Sequence, residues 1–315
     1  MPHHPIFDRR LLFVSGKGGV GKTITTAAIA LWAFRRRKRV LVVELSPYGR
    51  LRELLGGPEP GPQPVEIQPH LEIVRIEPRE ALEDFLEGVL PFRALRQRLL
   101  QSSSFSILTA AAPGIEEFLV LARIVGFEAL RTGLRRRPRY DLIVVDAPAT
   151  GHSLPLLSTA RTLMEMMPLG PIGKMAQDVG AVLADPQRSA TVIVTIPEEM
   201  AVNETIEITS EIHRSGAIAL GPIVVNAVWP ERFTAEEARW LLSSTDGSDP
   251  LIAAGRYHVE KRRRADEHIA RLRSELRVEP VILPFFSQPG DDRPSLRKLV
   301  AAFDAALPGD LHVVA

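Results

Sequence analysis

The chain of 315 residues contains no cysteine. Disulfides, thiolate metal sites and cysteine nucleophiles are therefore excluded, and a reducing cytoplasm is the expected compartment. Long apolar runs are missing too: no uninterrupted stretch approaches the ~18–20 residues of a membrane span. The opening MPHHPIFDRR lacks the apolar core of a signal peptide. Nor is there an excess of charge of one sign. Thirty-nine Lys and Arg against 38 Asp and Glu leave a formal +1, so the whole-molecule field makes no case for nucleic acid. Neither an integral membrane segment nor a nucleic-acid partner is expected.

What remains is an ordinary globular composition, 45% hydrophobic and 24% charged. Short β-branched runs recur between longer helical patterns: LLFVSG (11–16), VLVVELS (40–46), LEIVRIEP (71–78), YDLIVVDAP (140–148), TVIVTIP (191–197), PIVVNAV (222–228) and PVILPFF (280–286). Several are apolar throughout rather than alternating, as central parallel strands covered on both faces must be. The expected fold is α/β: a doubly wound, mostly parallel sheet with ligands at the carboxyl ends of its strands. Two intervals, 79–137 and 153–188, are too long for simple crossovers and read as helical insertions on the ligand side. The whole of 1–315 is expected to be one domain, with a Pro/Gly-rich connector at 56–64.

The stretch SGKGGVGKTIT (15–25) contains the spacing G-x-x-x-x-G-K-T between a strand and a helix. Backbone N–H groups of Gly18, Gly19, Val20, Gly21, Lys22 and Thr23 can wrap phosphates there, aided by the helix N-terminus. Gly16 and Ile24 flank that cradle. Lys22 is expected to reach the β- and γ-phosphates of ATP, and the Thr23 hydroxyl to coordinate Mg²⁺. Asp146, ending an apolar strand, supplies a carboxylate for the same ion.

Lys17 gives the loop a second lysine, and K-G-G-x-G-K-T resembles the deviant Walker A pattern. That group includes the partitioning ATPases, nitrogenase iron protein, and the arsenite-pump and tail-anchored-protein-targeting ATPases. The resemblance implies that Lys17 crosses to a second subunit's phosphates, in a homodimer or heterodimer. VVDAPATGHSLPLL (144–157) resembles the D-T-A-P-T-G-H-T-L switch of the arsenite-pump and tail-anchored-protein branch, the ArsA-type family. It implies that His152 and its neighbours sense the γ-phosphate. IPEEMAVNETIEI (196–208) and APGIEEF (112–118) resemble two further segments of that family. Asn226, ending PIVVNAV, stands where family members recognise adenine, and an amide's donor and acceptor suit that edge. Phe285 is a candidate wall for the base.

Two features depart from the family. Its first switch carries Asp before a proline to position the attacking water; here Ser46 precedes Pro47. A hydroxyl cannot take the water's proton as a carboxylate does. Glu44, two residues earlier on the same strand face, is the nearby substitute: it either reaches the water or Mg²⁺, or simply ends the strand. The missing cysteines also rule out an arsenite thiolate site and a zinc clamp.

Met164, Met166, Met167 and Met175 are four of the six methionines. They suit a groove for an apolar protein client, or an ordinary helical core. The arginine runs 35–39 and 135–139 are expected at helix C-termini, where they oppose the dipole. EKRRRADEHIARLRSEL (260–276) reads as an amphipathic helix. The expectation is thus a dimeric Mg-ATP switch ATPase of the ArsA type. The alternative is a nucleotide-regulated assembly module with little hydrolysis, because of Ser46.

Overall fold

The computed structural model describes residues 9–46, 49–89, 114–133, 136–148, 150–166, 170–244, 249–286 and 292–306. The chain begins with β1 (Leu11–Ser15), α1 (Lys22–Arg35), β2 (Val40–Glu44), α2 (Leu51–Leu55), β3 (Val65–Gln68), β4 (Leu71–Arg75) and α3 (Pro78–Val89). Next come α4 (Ile115–Ala129), the short pair β5 (Arg131–Thr132) and β6 (Arg137–Pro138), then β7 (Leu142–Asp146), α5 (Thr150–Met166) and α6 (Gly170–Ala184). The last part holds β8 (Ser189–Thr195), α7 (Glu199–Ser215), β9 (Leu220–Val228), α8 (Ala235–Ser243), α9 (Pro250–Leu276), β10 (Val281–Pro284) and α10 (Asp292–Ala306).

Eight strands form one sheet in the order β10-β9-β8-β1-β7-β2-β4-β3. All neighbours are parallel except β3, which runs antiparallel on the β4 edge. β1, β2 and β7 are buried at every position, because alternate side chains enter separate cores. Leu12 and Val14 point into a core shared with α1, α2 and α10. Leu11 and Phe13 point into the opposite one, built with α3, α4, α5 and α6. Both faces are thus covered, and the doubly wound α/β expectation holds. A third, smaller cluster joins Val202, Val225 and Val228 to Ala265, Ile269 and Leu272 of α9.

Helix ends follow local chemistry. Asp249 caps α9 by accepting the Leu251 N–H at 2.8 Å, with Pro250 in the first turn. Thr234 and Glu237 form a reciprocal capping box on α8. The helix expected over 260–276 is the second half of this longer α9. Among the described residues, no helix is long and apolar enough to cross a membrane.

One placement differs from expectation. Residues 136–139 do not end a helix; α4 stops at Ala129, and Arg137–Pro138 pairs with Arg131–Thr132 in a small hairpin. Three arginines of the two runs make ion pairs. Arg36 bonds Asp304 at 2.7 Å and lies over the Trp32 ring, Arg39 forks onto Asp141, and Arg139 reaches Glu72 at 3.0 Å. The hydrogen bond and charge of Arg39 hold Asp141 below the usual carboxylate range.

Candidate nucleotide site

The parallel strands deliver their carboxyl ends to one edge, and the loop after β1 lies there between β7 and β8. Its shape depends on close approaches that exclude side chains. Gly16, at φ 148°, lies against the Val194 carbonyl of β8, and Gly21, at φ 91°, lies against the Asn226 amide nitrogen. A Cβ at either position would collide. Gly21 caps α1 in the left-handed conformation, so the helix starts at Lys22 itself. Val20 is buried beneath the loop, while Gly18 and Gly19 are exposed at its crest. Ile24 packs, half-buried, on the core below.

Lys22 Nζ donates to the Lys17 carbonyl at 3.0 Å, folding back across the loop. Burial lowers the Lys22 ammonium below its ordinary value, against the opposing charges of Asp146 and Glu204. Thr23 Oγ1 donates to Asp146 Oδ2 at 2.8 Å, and Thr26 Oγ1 donates to Asp146 Oδ1 at 3.3 Å. Asp146 is 7% exposed, and burial pushes its carboxyl up to about 6 despite both threonines and Lys22. A buried carboxylate short of positive charge, beside a hydroxyl, is the hard-oxygen set that Mg²⁺ takes when water and phosphate complete the shell. The residues fit that ion.

Lys17 stands at the loop's edge with 35% of its side chain exposed, 3.7 Å from Glu204 of α7. The sequence reading quoted the segment containing Glu204 without giving it a role; the missing signal was the fold, which sets it beside a lysine 187 positions earlier. Thr26 was missed for a plainer reason, since a threonine one turn into a helix looks like helix filler.

Asn226 Nδ2 donates to the Val20 carbonyl at 2.9 Å, so one of its donors supports the phosphate loop. Ala227, next in β9, has φ 57°, a conformation unusual for a residue with a Cβ. Phe285 hydrogen-bonds through its backbone to Val228 at 2.8 Å and stacks on Trp229, with centroids 4.9 Å apart and planes at 10°. Trp229 is the aromatic that sequence reasoning passed over. His152 lies in the first turn of α5, and its side chain is outside the described residues.

At the first switch, Ser46 is exposed and its carbonyl accepts the Gly49 N–H at 3.2 Å. Glu44 is fully buried. Its Oε2 accepts from Arg75 Nε at 3.0 Å and Nη2 at 2.8 Å, while Oε1 accepts the Leu51 N–H at 3.2 Å. Of the two roles open to Glu44, this geometry favours the structural one, because its oxygens face the protein rather than a phosphate. Although burial pulls it down, Arg75 is raised above its ordinary value by the hydrogen bonds and charges of Glu44 and Glu59.

Among the described residues, the methionines of this stretch differ in exposure. Met164 is 38% exposed and lines a cavity of about 320 Å³ with Ala160, Arg161, Gly180 and Ala181. Met166 is 65% exposed, Met175 packs against the core of its face, and Met167 lies outside the described residues.

Known proteins give this geometry a family. A family model described as anion-transporting ATPase, ArsA_ATPase, matches residues 9–179, just over half of the chain. That span contains the phosphate loop, Ser46, Asp146 and His152, and stops before Glu204, Asn226 and Phe285. The chain is 26% identical over 233 residues to the ATPase BagA of Mycobacterium tuberculosis, covering 72% of this chain and 68% of that one. It is 29% identical over 246 residues to an arsenical pump-driving ATPase of Acidiphilium multivorum, covering 72% of this chain and 41% of that longer protein. To the ATPase GET3 of Kluyveromyces lactis it is 26% identical over 239 residues, covering 64% and 68%. With its P-loop geometry and the matched span together, the chain belongs to the ArsA-type anion-transporting ATPase family.

Proposed function

We propose that the chain is a Mg-ATP-dependent switch ATPase that closes as a dimer over its nucleotide, built as one P-loop domain over 1–315. The observation that carries this reading is the 2.8 Å contact of Thr23 with Asp146 at the foot of a glycine-shaped loop. Backbone N–H groups from Gly16 to Ile24 would cradle the phosphates, and Lys22 would leave the Lys17 carbonyl for the β- and γ-phosphates. Thr23 and Asp146 would hold Mg²⁺, which supplies neutralisation of charge building on the phosphates. Asn226, with Phe285 beside it, would take the adenine end, and His152 would sense the γ-phosphate from the start of α5.

Partial exposure of Lys17 at the loop's edge supports its reaching a second chain, identical or related. Closure would then bias the helices that follow the switch. Met164 and Met166, exposed on α5, are the residues offered to an apolar protein client. A reducing cytoplasm is the setting proposed.

A second reading has its own observation. Ser46 stands where a carboxylate is expected, and Glu44 is committed elsewhere, so the chain could bind ATP and assemble with negligible turnover. Steady-state phosphate release beside ATP calorimetry separates the two. Turnover lost in Lys22→Ala supports the ATPase; tight binding without phosphate release makes the chain a nucleotide-regulated assembly module; no ATP binding sinks both.

A further inference from the structure

Glu44 and Arg75 are joined at the carboxyl ends of β2 and β4. Parallel register sets Glu44 opposite Arg75 on β4 and opposite Asp146 on β7. Three hydrogen bonds fill the Glu44 carboxylate, and one donor is the backbone of Leu51, the first residue of α2. Gly49 lies so close to the same carboxylate that a Cβ there would strike it. The Gly49 N–H in turn closes a turn onto the Ser46 carbonyl. On its far side Arg75 bonds Glu59 at 2.9 Å, and Glu59 takes Arg52 of α2 at 2.7 Å. Leu51 and Arg52, at the start of α2, are therefore tied through Glu44 and Glu59 respectively to one guanidinium.

A carboxylate that activates water needs a lone pair aimed outward at the reacting phosphate. Among the described residues, three of the roughly four lone-pair sites of Glu44 are used, two on Arg75 and one on the chain that follows Ser46. We propose that Arg75 and Glu44 are a positioning pair, which braces the first switch through Gly49 and Leu51 and so fixes where Ser46 stands at the carboxyl end of β2. The inference rests on the reading of Ser46 as the first-switch position, and it gives Arg75 a role that its own sequence context does not announce. A planar fork is needed to hold both Glu44 and Glu59, which a lysine's single ammonium does less well.

Amide hydrogen exchange tests it on the full chain without nucleotide, comparing residues 49–55 with β9 as the internal control. Arg75→Gln is expected to speed exchange in 49–55 about tenfold, as loss of a charge-assisted brace implies, with β9 unchanged. Arg75→Lys keeps the charge, and is expected to restore part of the protection in that segment alone. No change in 49–55, or an equal rise in β9 for both variants, overturns the proposal and leaves the pair as a general stabiliser. ATP calorimetry on the same samples keeps the two readings apart. A wild type that binds no ATP overturns the nucleotide site and leaves the exchange result standing.

Discussion

The phosphate loop follows β1 and the first switch follows β2, two strand ends separated by β7, yet they obey different rules. In the loop, each side chain is the type that phosphate chemistry asks for, and Thr23, Thr26 and Asp146 already touch. At the switch, a hydroxyl replaces a carboxylate, and the nearby carboxylate is turned inward onto Arg75. The side chains proposed for binding are therefore in mutual contact, while the carboxylate near the first switch is paired within the protein. The contrast teaches that a P-loop by itself specifies a ligand and leaves the rate to its neighbours.

Breaking the switch side should have the largest effect. Arg75→Ala would leave the buried Glu44 carboxylate without its guanidinium and speed amide exchange in residues 49–55 about 1,000-fold, with β9 as the unchanged control. On the loop side, Lys22→Ala should weaken ATP binding about 100-fold by calorimetry while leaving the unfolding midpoint nearly unchanged, because Lys22 bonds only a loop carbonyl. Ser46→Asp sharpens the contrast from the other direction. Returning the carboxylate should raise phosphate release about 100-fold, and no gain would show that the switch differs by more than one residue.

Two smaller effects follow. Glu204→Gln removes a half-exposed partner of Lys17 and should tighten ATP-dependent self-association about threefold by analytical ultracentrifugation. Ala227→Gly relieves a left-handed residue next to Asn226 and should stabilise the fold by about 0.5 kcal/mol, read from thermal melting.

Much of the sheet could be read from residues alone, for a physical reason. A strand buried on both faces is apolar at most positions, and seven of the eight strands in the main sheet overlap the apolar, β-branched runs of the sequence. VEIQ of β3 does not. It is a half-exposed edge strand, so its polar positions look like the connector before it. The hairpin over 131–138 escaped notice because its strands have two residues each and are rich in arginine. The loop and Asp146 were legible because their chemistry is written in contiguous spacing. Arg75 was not, since its meaning lies in Glu44, 31 residues away in sequence, and in a register that only the folded sheet supplies. The separate fates of Met164 and Met175 likewise depend on which way α5 and α6 face.

The glycines at 16 and 21 carry one more consequence, in the order of synthesis. Gly16 is fitted to Val194, Gly21 to Asn226, and the Asn226 amide holds the Val20 carbonyl across 206 residues. During translation the phosphate loop leaves the ribosome well before the surfaces that mould it, which arrive only with β8 and β9. A nascent chain that stops short of Asn226 would display the loop's letters without its shape, and the proposed nucleotide site would form only once β9 had emerged.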